Sequence, residues 1–181
     1  MILETLMDQA AIASNLEEMA GEIVEKYASQ DIDLALVGIR DRGELLADRL
    51  HKILQARFKK PIDLGTLDIT MYRDDINQAG SQSLQVGTTD ITFNIDDKVV
   101  LLVDDVLNTG RSVRAALDAL VALGRPKAIR LAVLIDRGSR EYPISADYVG
   151  LAIENVPENI KVQVWLKECD EKEAVVLIEK E

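Results

Sequence analysis

The sequence predicts an α/β protein built on a mostly parallel sheet with helices on both faces. Short apolar runs of strand length alternate along the chain with segments whose apolar residues recur at helical spacing. The strongest runs, Leu34–Gly38 and Val99–Val103, are apolar throughout, as in strands covered on both faces. The polar, glycine-bearing turns that follow these runs fall where an open parallel sheet gathers its ligands, beyond the carboxyl ends of the strands.

The elements follow in order. Residues 8–28 carry Ile12, Leu16, Met19, Ile23 and Val24 on one helical face, with Asp8 placed as the N-cap. The strand at 34–38 leads through the charged turn Arg40–Asp41–Arg42–Gly43 into a helix marked by Leu46, Leu50, Ile53 and Leu54. A second strand is expected at 62–70. It runs into Tyr72–Arg73–Asp74–Asp75 and a polar stretch from Asn77 to Thr89, long enough to imply a functional loop. The run from Lys98 to Asp105 is the most apolar strand and ends in two aspartates. After Asn108–Thr109–Gly110 comes a helix with Val113, Leu117, Leu120 and Val121 expected inward, stopped by Gly124 and Pro126. Strands at 129–135, 161–166 and 174–179 complete the alternation, and no repeat or linker interrupts it.

Composition narrows the function. At 181 residues the chain fits a single domain, 1–181, within the ~100–200 residues usual for one. Its 32 acidic and 21 basic residues give a net charge of −11, which opposes nonspecific attraction to DNA or any polyphosphate. Cys169 is the sole cysteine, so no internal disulfide can form. No secretion-like start and no run near the ~18 apolar residues of a membrane span are present. A cytoplasmic protein is expected, with no membrane partner.

The stretch V-V-L-L-V-D-D-V-L-N-T-G-R-S at 99–112 carries the chemistry. Asp104 and Asp105 can accept hydrogen bonds from a pair of sugar hydroxyls. Backbone N–H groups from Val106 and Leu107 through Asn108, Thr109, Gly110, Arg111 and Ser112 can hold a phosphate where the helix begins, with Gly110 permitting close approach. Neither G-x-G-x-x-G nor G-x-x-x-x-G-K-[ST] occurs, so the usual dehydrogenase and kinase readings lose ground. A receiver-like domain keeps acids at strand ends but has no use for the T-G-R-S cradle. Arg40, Asp41 and Arg42, lying between glycines after a strand, suit a diphosphate held against a metal ion.

The 99–112 stretch resembles the motif of type I phosphoribosyltransferases that binds 5-phosphoribosyl-1-pyrophosphate (PRPP). L-D-I-T-M-Y-R-D-D at 67–75, V-D-D-V-L-N-T-G-R-S at 103–112 and D-R-G-S-R-E-Y-P-I-S-A-D-Y-V-G at 136–150 are together similar in order and spacing to the PyrR family. That resemblance covers nearly the whole chain. It implies the type I phosphoribosyltransferase fold with a flexible loop over the site, and a reaction of uracil with PRPP giving UMP and pyrophosphate. It further implies Mg²⁺ held mainly by PRPP, Arg73 brought to the phosphates by the loop, and uracil bordered by Arg137, Gly138 and Val162. A transferase acting on a purine base is the nearest enzymatic alternative.

PyrR proteins in many bacteria also bind pyrimidine-operon leader RNA, which sets a second reading, a uridine-nucleotide-sensing RNA-binding regulator. The basic or histidine positions of RNA-binding members are here Glu17, Glu18, Gly21, Ser139, Ser145 and Leu151, and Arg140 alone persists. Exchanging cations for neutral or acidic groups removes phosphate contacts, so the RNA face reads as eroded. Asn108 stands where the family commonly has an aromatic residue. His51 reads as exposed, Trp165 and Cys169 as structural, and apolar positions on the first helix suggest a homodimer or larger assembly.

Overall fold

The computed structural model describes residues 1–74 and 87–180. In chain order the elements are β1 (Ile2–Asp8), α1 (Gln9–Tyr27), β2 (Leu34–Ile39), α2 (Arg42–Gln55), β3 (Asp63–Leu67), a 3-10 turn (Thr70–Tyr72), β4 (Val99–Leu107), α3 (Arg111–Leu123), β5 (Ala128–Asp136), β6 (Tyr148–Ala152), β7 (Ile160–Trp165) and β8 (Ala174–Glu179). Asp75 and the part of the expected loop from Asn77 to residue 86 lie outside the described residues.

Five strands form a parallel sheet in the order β3-β2-β4-β5-β6. Successive side chains of a strand point to opposite faces, and here both faces are covered. Leu34, Leu36, Val99, Leu101 and Val103 join the core built with α1 and α2. Ala35, Val37, Val100 and Leu102 join Val113, Ala116 and Leu120 of α3 in the core on the other face. That two-sided burial explains the unbroken apolar runs. α1 starts as expected, with the Asp8 carboxylate accepting the Ala11 N–H at 2.8 Å.

Several expectations are corrected. The segments at 161–166 and 174–179 do not extend the parallel sheet. They form β7 and β8 of a separate antiparallel sheet, β1-β8-β7, whose edge strand β1 the sequence pattern did not show. Only Met7 of β1 is buried, so the strand lacks the alternation that would mark it. The strand expected at 62–70 is confined to Asp63–Leu67, and β4 continues two residues beyond its aspartates. Val121 points outward, 67% exposed. Ile12, Leu16, Met19 and Ile23 of α1 are buried in the protein's own core, so they offer no surface for assembly. His51 is partly buried, its Nε2 2.7 Å from the Ile62 carbonyl. No helix of the described residues is long and apolar enough to cross a membrane.

Candidate active site

The carboxyl end of β4 lies between β2 and β5, which makes it the centre of the sheet's ligand-facing edge. Asp104 is 7% exposed, and its Oδ1 accepts the Asp105 N–H at 2.9 Å. The Asp105 Oδ1 accepts the Val106 N–H at 2.8 Å. Burial pushes the Asp104 carboxyl well above its ordinary range, the Asp105 charge adds to the rise, and Arg73 opposes it. Burial also raises Asp105, against the pull of the Val106 N–H and of Arg42.

A cavity of about 1040 Å³ opens above these acids. Arg40, Asp41, Arg42, Asp68, Thr70, Arg73, Asp104, Asp105, Val106 and Ser112 are among its walls. The loop from β2 to α2 that brings Arg40 to Arg42 is drawn tight against the sheet. A Cβ on Gly38 would run into the Gly43–Glu44 backbone, and one on Gly43 would meet the Val103 carbonyl at 2.7 Å. Asp41 turns the chain with φ of 74°, a conformation few non-glycine residues adopt. Arg40 is steadied by its Nη1, which donates to the Thr88 carbonyl at 3.1 Å.

On the far side of Asp104 the chain forms the cradle. Gly110 takes φ of 89° as α3 begins, and Thr109 Oγ1 accepts the Arg111 N–H at 3.3 Å. Asp104, Val106, Leu107, Asn108, Thr109, Gly110 and Ser112 line the small concavity of about 40 Å³ that results. The Arg111 side chain is engaged elsewhere. It pairs with Asp74 at 3.0 Å and with Glu141, and lies over the Tyr142 ring. Tyr142 donates its hydroxyl to Asp74 at 2.9 Å, which fastens the residue after the 3-10 turn and Arg73 to the turn that follows β5. Of Arg111, then, the backbone begins the cradle while the guanidinium secures a neighbouring turn.

Toward β7 lies a recess of about 270 Å³ bordered by Arg42, Asp105, Val106, Asn108, Arg137, Lys161, Val162, Gln163 and Val164. Val162 serves both the core and this recess. Arg137 is 6% exposed, and its Nη2 donates to the Pro157 carbonyl at 3.0 Å, so its guanidinium also braces the loop ahead of β7. Gly138 does not border the recess. It is exposed with φ of 80°, its N–H donating to Asp136 Oδ1 at 2.9 Å.

Two residues acquire roles that sequence reasoning did not give them. Asp68 is a buried carboxylate on the main cavity, with Oδ1 accepting the Thr70 N–H at 2.8 Å. Burial raises its pKa, but hydrogen bonds from Thr70 and Gly87 and the Arg40 charge bring it below the ordinary value. The only signal in the sequence is an acid closing the apolar run before Ile69–Thr70, an arrangement that also suits a solvated strand end. Arg140 grips both Asp136 oxygens at 2.7 Å and donates to the Asn108 and Ile144 carbonyls at 2.8 Å. It ties the turn after β5 to the cradle.

Two spaces sharing a strand end with paired acids, one rich in arginine and one partly apolar, match the requirements of a transferase that handles a phosphorylated sugar and a small planar partner. Residues 3–172 match the family described as phosphoribosyl transferase domain. A hypoxanthine phosphoribosyltransferase of Trypanosoma cruzi superposes with a TM-score of 0.74 at 21% identity, covering 98% of this chain and 96% of that one. A hypoxanthine-guanine phosphoribosyltransferase of Bacillus anthracis does so with 0.71 at 19% identity, covering 98% and 99%. At those identities the likeness establishes the fold. Proteins named "Bifunctional protein PyrR" are far closer in sequence. The one from Pelotomaculum thermopropionicum is 48% identical over 96% of this chain and 94% of its own length, and that from Alkaliphilus metalliredigens 49% over 95% and 93%. The chain belongs to the PyrR family of phosphoribosyltransferases.

Proposed function

We propose that the protein, acting as one domain over 1–181, transfers the phosphoribosyl group of PRPP to uracil, giving UMP and pyrophosphate. The observation that carries this reading is the shared wall. The large polar cavity and the smaller recess have Arg42, Asp105 and Val106 in common, directly at the end of β4. A ribose seated there has the cradle for its 5′-phosphate on one side, arginines for its diphosphate above, and the recess for a base on the other.

The bond from ribose C1′ to the diphosphate oxygen breaks as the bond from C1′ to the uracil nitrogen forms, and the proton of that nitrogen passes to the departing diphosphate or to solvent. Asp104 and Asp105 accept hydrogen bonds from the ribose hydroxyls and favour positive charge on the ring. Arg40, Arg42 and Arg73 favour negative charge on the departing diphosphate. The neutral base meets the Val162 and Val164 side chains and the backbone beside Arg137. No covalent nucleophile is needed. The acid pair, both members raised by burial and Asp104 further by the Asp105 charge, fits a hard, oxygen-preferring cation shared with a phosphate-rich ligand. Among the described residues no three acidic, His or Cys side chains are grouped to hold an ion unaided, so Mg²⁺ would draw most of its ligands from PRPP. Once bound, Mg²⁺ offsets charge on the diphosphate.

The relatives' printed name gives those proteins two functions, which motivates the second reading, a nucleotide-sensing RNA-binding regulator. Charge opposes it here. Arg140, the one cation retained from the RNA-contacting set, is consumed by Asp136 and by backbone carbonyls. Glu17 stands exposed on α1, paired with Arg57. Self-association, as a homodimer or larger assembly, would draw instead on Val121 and Leu123 of α3, on Met1, and on Ile2 and Leu3 of β1, which are exposed. A sedimentation mass equal to one chain at micromolar concentration would refute that assignment.

The deciding experiment follows pyrophosphate release from PRPP and Mg²⁺ on adding uracil, with guanine and hypoxanthine as competitors. Uracil-dependent release that disappears in Asp104→Asn/Asp105→Asn is expected. Consumption of a purine base with uracil untouched would assign a different transferase, and no release with any base would leave the regulator as the better reading.

A further inference from the structure

We propose that Asp170 is a positioning residue for the transfer reaction, holding the Arg42 guanidinium at the wall shared by the diphosphate cavity and the base recess. The inference rests on the phosphoribosyl-transfer reading above and deepens it. Arg42 opens α2, and its Nη2 donates to both Asp170 oxygens at 3.0 Å. The two side chains are 27% and 19% exposed, so solvent screens the pair only in part.

The carboxylate is itself fixed. Its Oδ2 accepts the Leu166 N–H at 3.0 Å and the Cys169 thiol at 3.2 Å, and the Asp170 N–H returns to the Leu166 carbonyl at 2.7 Å. Asp170 engages a single terminal nitrogen, Nη2, of an arginine that lines both cavities. A guanidinium held in this way keeps its charge oriented toward the wall where an anionic ligand oxygen would lie. Its charge also acts on Asp105. Since the turn at 166–170 directly follows β7, which carries Val162 and Val164, the Arg42–Asp170 pair joins the base side of the site to the phosphate side.

Holding the turn is not left to Asp170 alone. The turn between β7 and β8 is already gripped by Arg49, two helical turns along α2 from Arg42. Arg49 donates to Glu168 at 2.7 and 2.6 Å and to Glu173 at 2.6 Å. Arg49 borders neither cavity.

That division gives the test. Asp170→Asn keeps the shape and one acceptor but loses the charge and the two-oxygen grip. Kinetics with PRPP and uracil, calorimetric titration of PRPP with Mg²⁺, and thermal unfolding are compared for wild type, Asp170→Asn, Asp170→Glu, Arg49→Met and Arg42→Gln, and for Asp170→Asn made in the Arg42→Gln background. Asp170→Asn should lose about tenfold or more in both kcat/KM and PRPP affinity, with Asp170→Glu recovering part of each. Arg49→Met should unfold at lower temperature yet keep both within about threefold. With Arg42→Gln already present, Asp170→Asn should cost no more than about twofold further. Wild-type-like binding and turnover in Asp170→Asn, the same loss in Arg49→Met, or full additivity with Arg42→Gln would each overturn the proposal. A wild-type protein that binds no PRPP would instead overturn the transferase reading, and this assignment with it.

Discussion

At Asp104, burial works against ionisation, the Asp105 charge works in the same direction, and Arg73 opposes both. The net rise above the ordinary value of 3.8 means that folding favours the neutral acid. The sign of the stability effect follows. The cost is absent below the unfolded value, grows as pH rises through the raised folded value, and stays constant above it. Asp104→Asn should therefore unfold at higher temperature than wild type at pH 7.5. The gap should close toward about pH 4, and unfolding curves across that range would measure it. A wild type at least as stable as the variant at pH 7.5 would contradict the burial account. The acid pair was legible in the sequence because two adjacent aspartates closed an apolar run before Thr109–Gly110. Asp68 was not, because its burial depends on Gly87 and Arg40 arriving from distant parts of the chain.

At the scale of elements, α2 is the member on which the site depends. Its first residue reaches the shared wall of the two cavities, and its next face holds the turn at 166–173 through Arg49. Glu173 keeps only 5% of its side chain exposed, so removing its partner strands a nearly buried charge. Arg49→Met is expected to cost about 2 kcal/mol, a fall of roughly 4–8 °C in Tm. Amide exchange should quicken in 166–173 before it does in β4. An unfolding temperature within about 1 °C of wild type would show that the grip adds little. Apolar periodicity revealed α2 itself, with Leu46, Leu50 and Leu54 buried as the spacing implied. What α2 reaches was hidden, because Arg42 and Arg49 meet acids more than a hundred residues away. The missed strands share that cause. β1 owes its place to pairing with β8 near the other end of the chain, and β6 joins β5 in parallel after a connection that carries no helix.

For the molecule as a whole, charge sets the partners. With a net charge of −11 and its retained arginine at 140 already bonded to Asp136, the chain should bind a pyrimidine leader RNA no better than an unrelated RNA of equal length. What binding there is should vanish as salt is raised from about 50 to 200 mM. Filter binding across that range is the measurement. Saturable, sequence-specific retention at the higher salt would establish an RNA face that the arrangement of charges argues against.

The sequence by itself determined the parallel α/β sheet, the glycine turn at 108–112, the acids before it and the family, since each is encoded within a short stretch by local spacing and by residue type. Only the tertiary structure decided that β7 and β8 leave the main sheet to build a second one with β1. It alone also decided that Arg111 and Arg140 spend their charges on the protein and that Asp68 and Asp170 stand behind Arg40 and Arg42. These are contacts between residues far apart in the chain. An isolated charged side chain reads the same in sequence whether it faces solvent, a ligand or a buried partner, and the difference is set by what the fold brings against it.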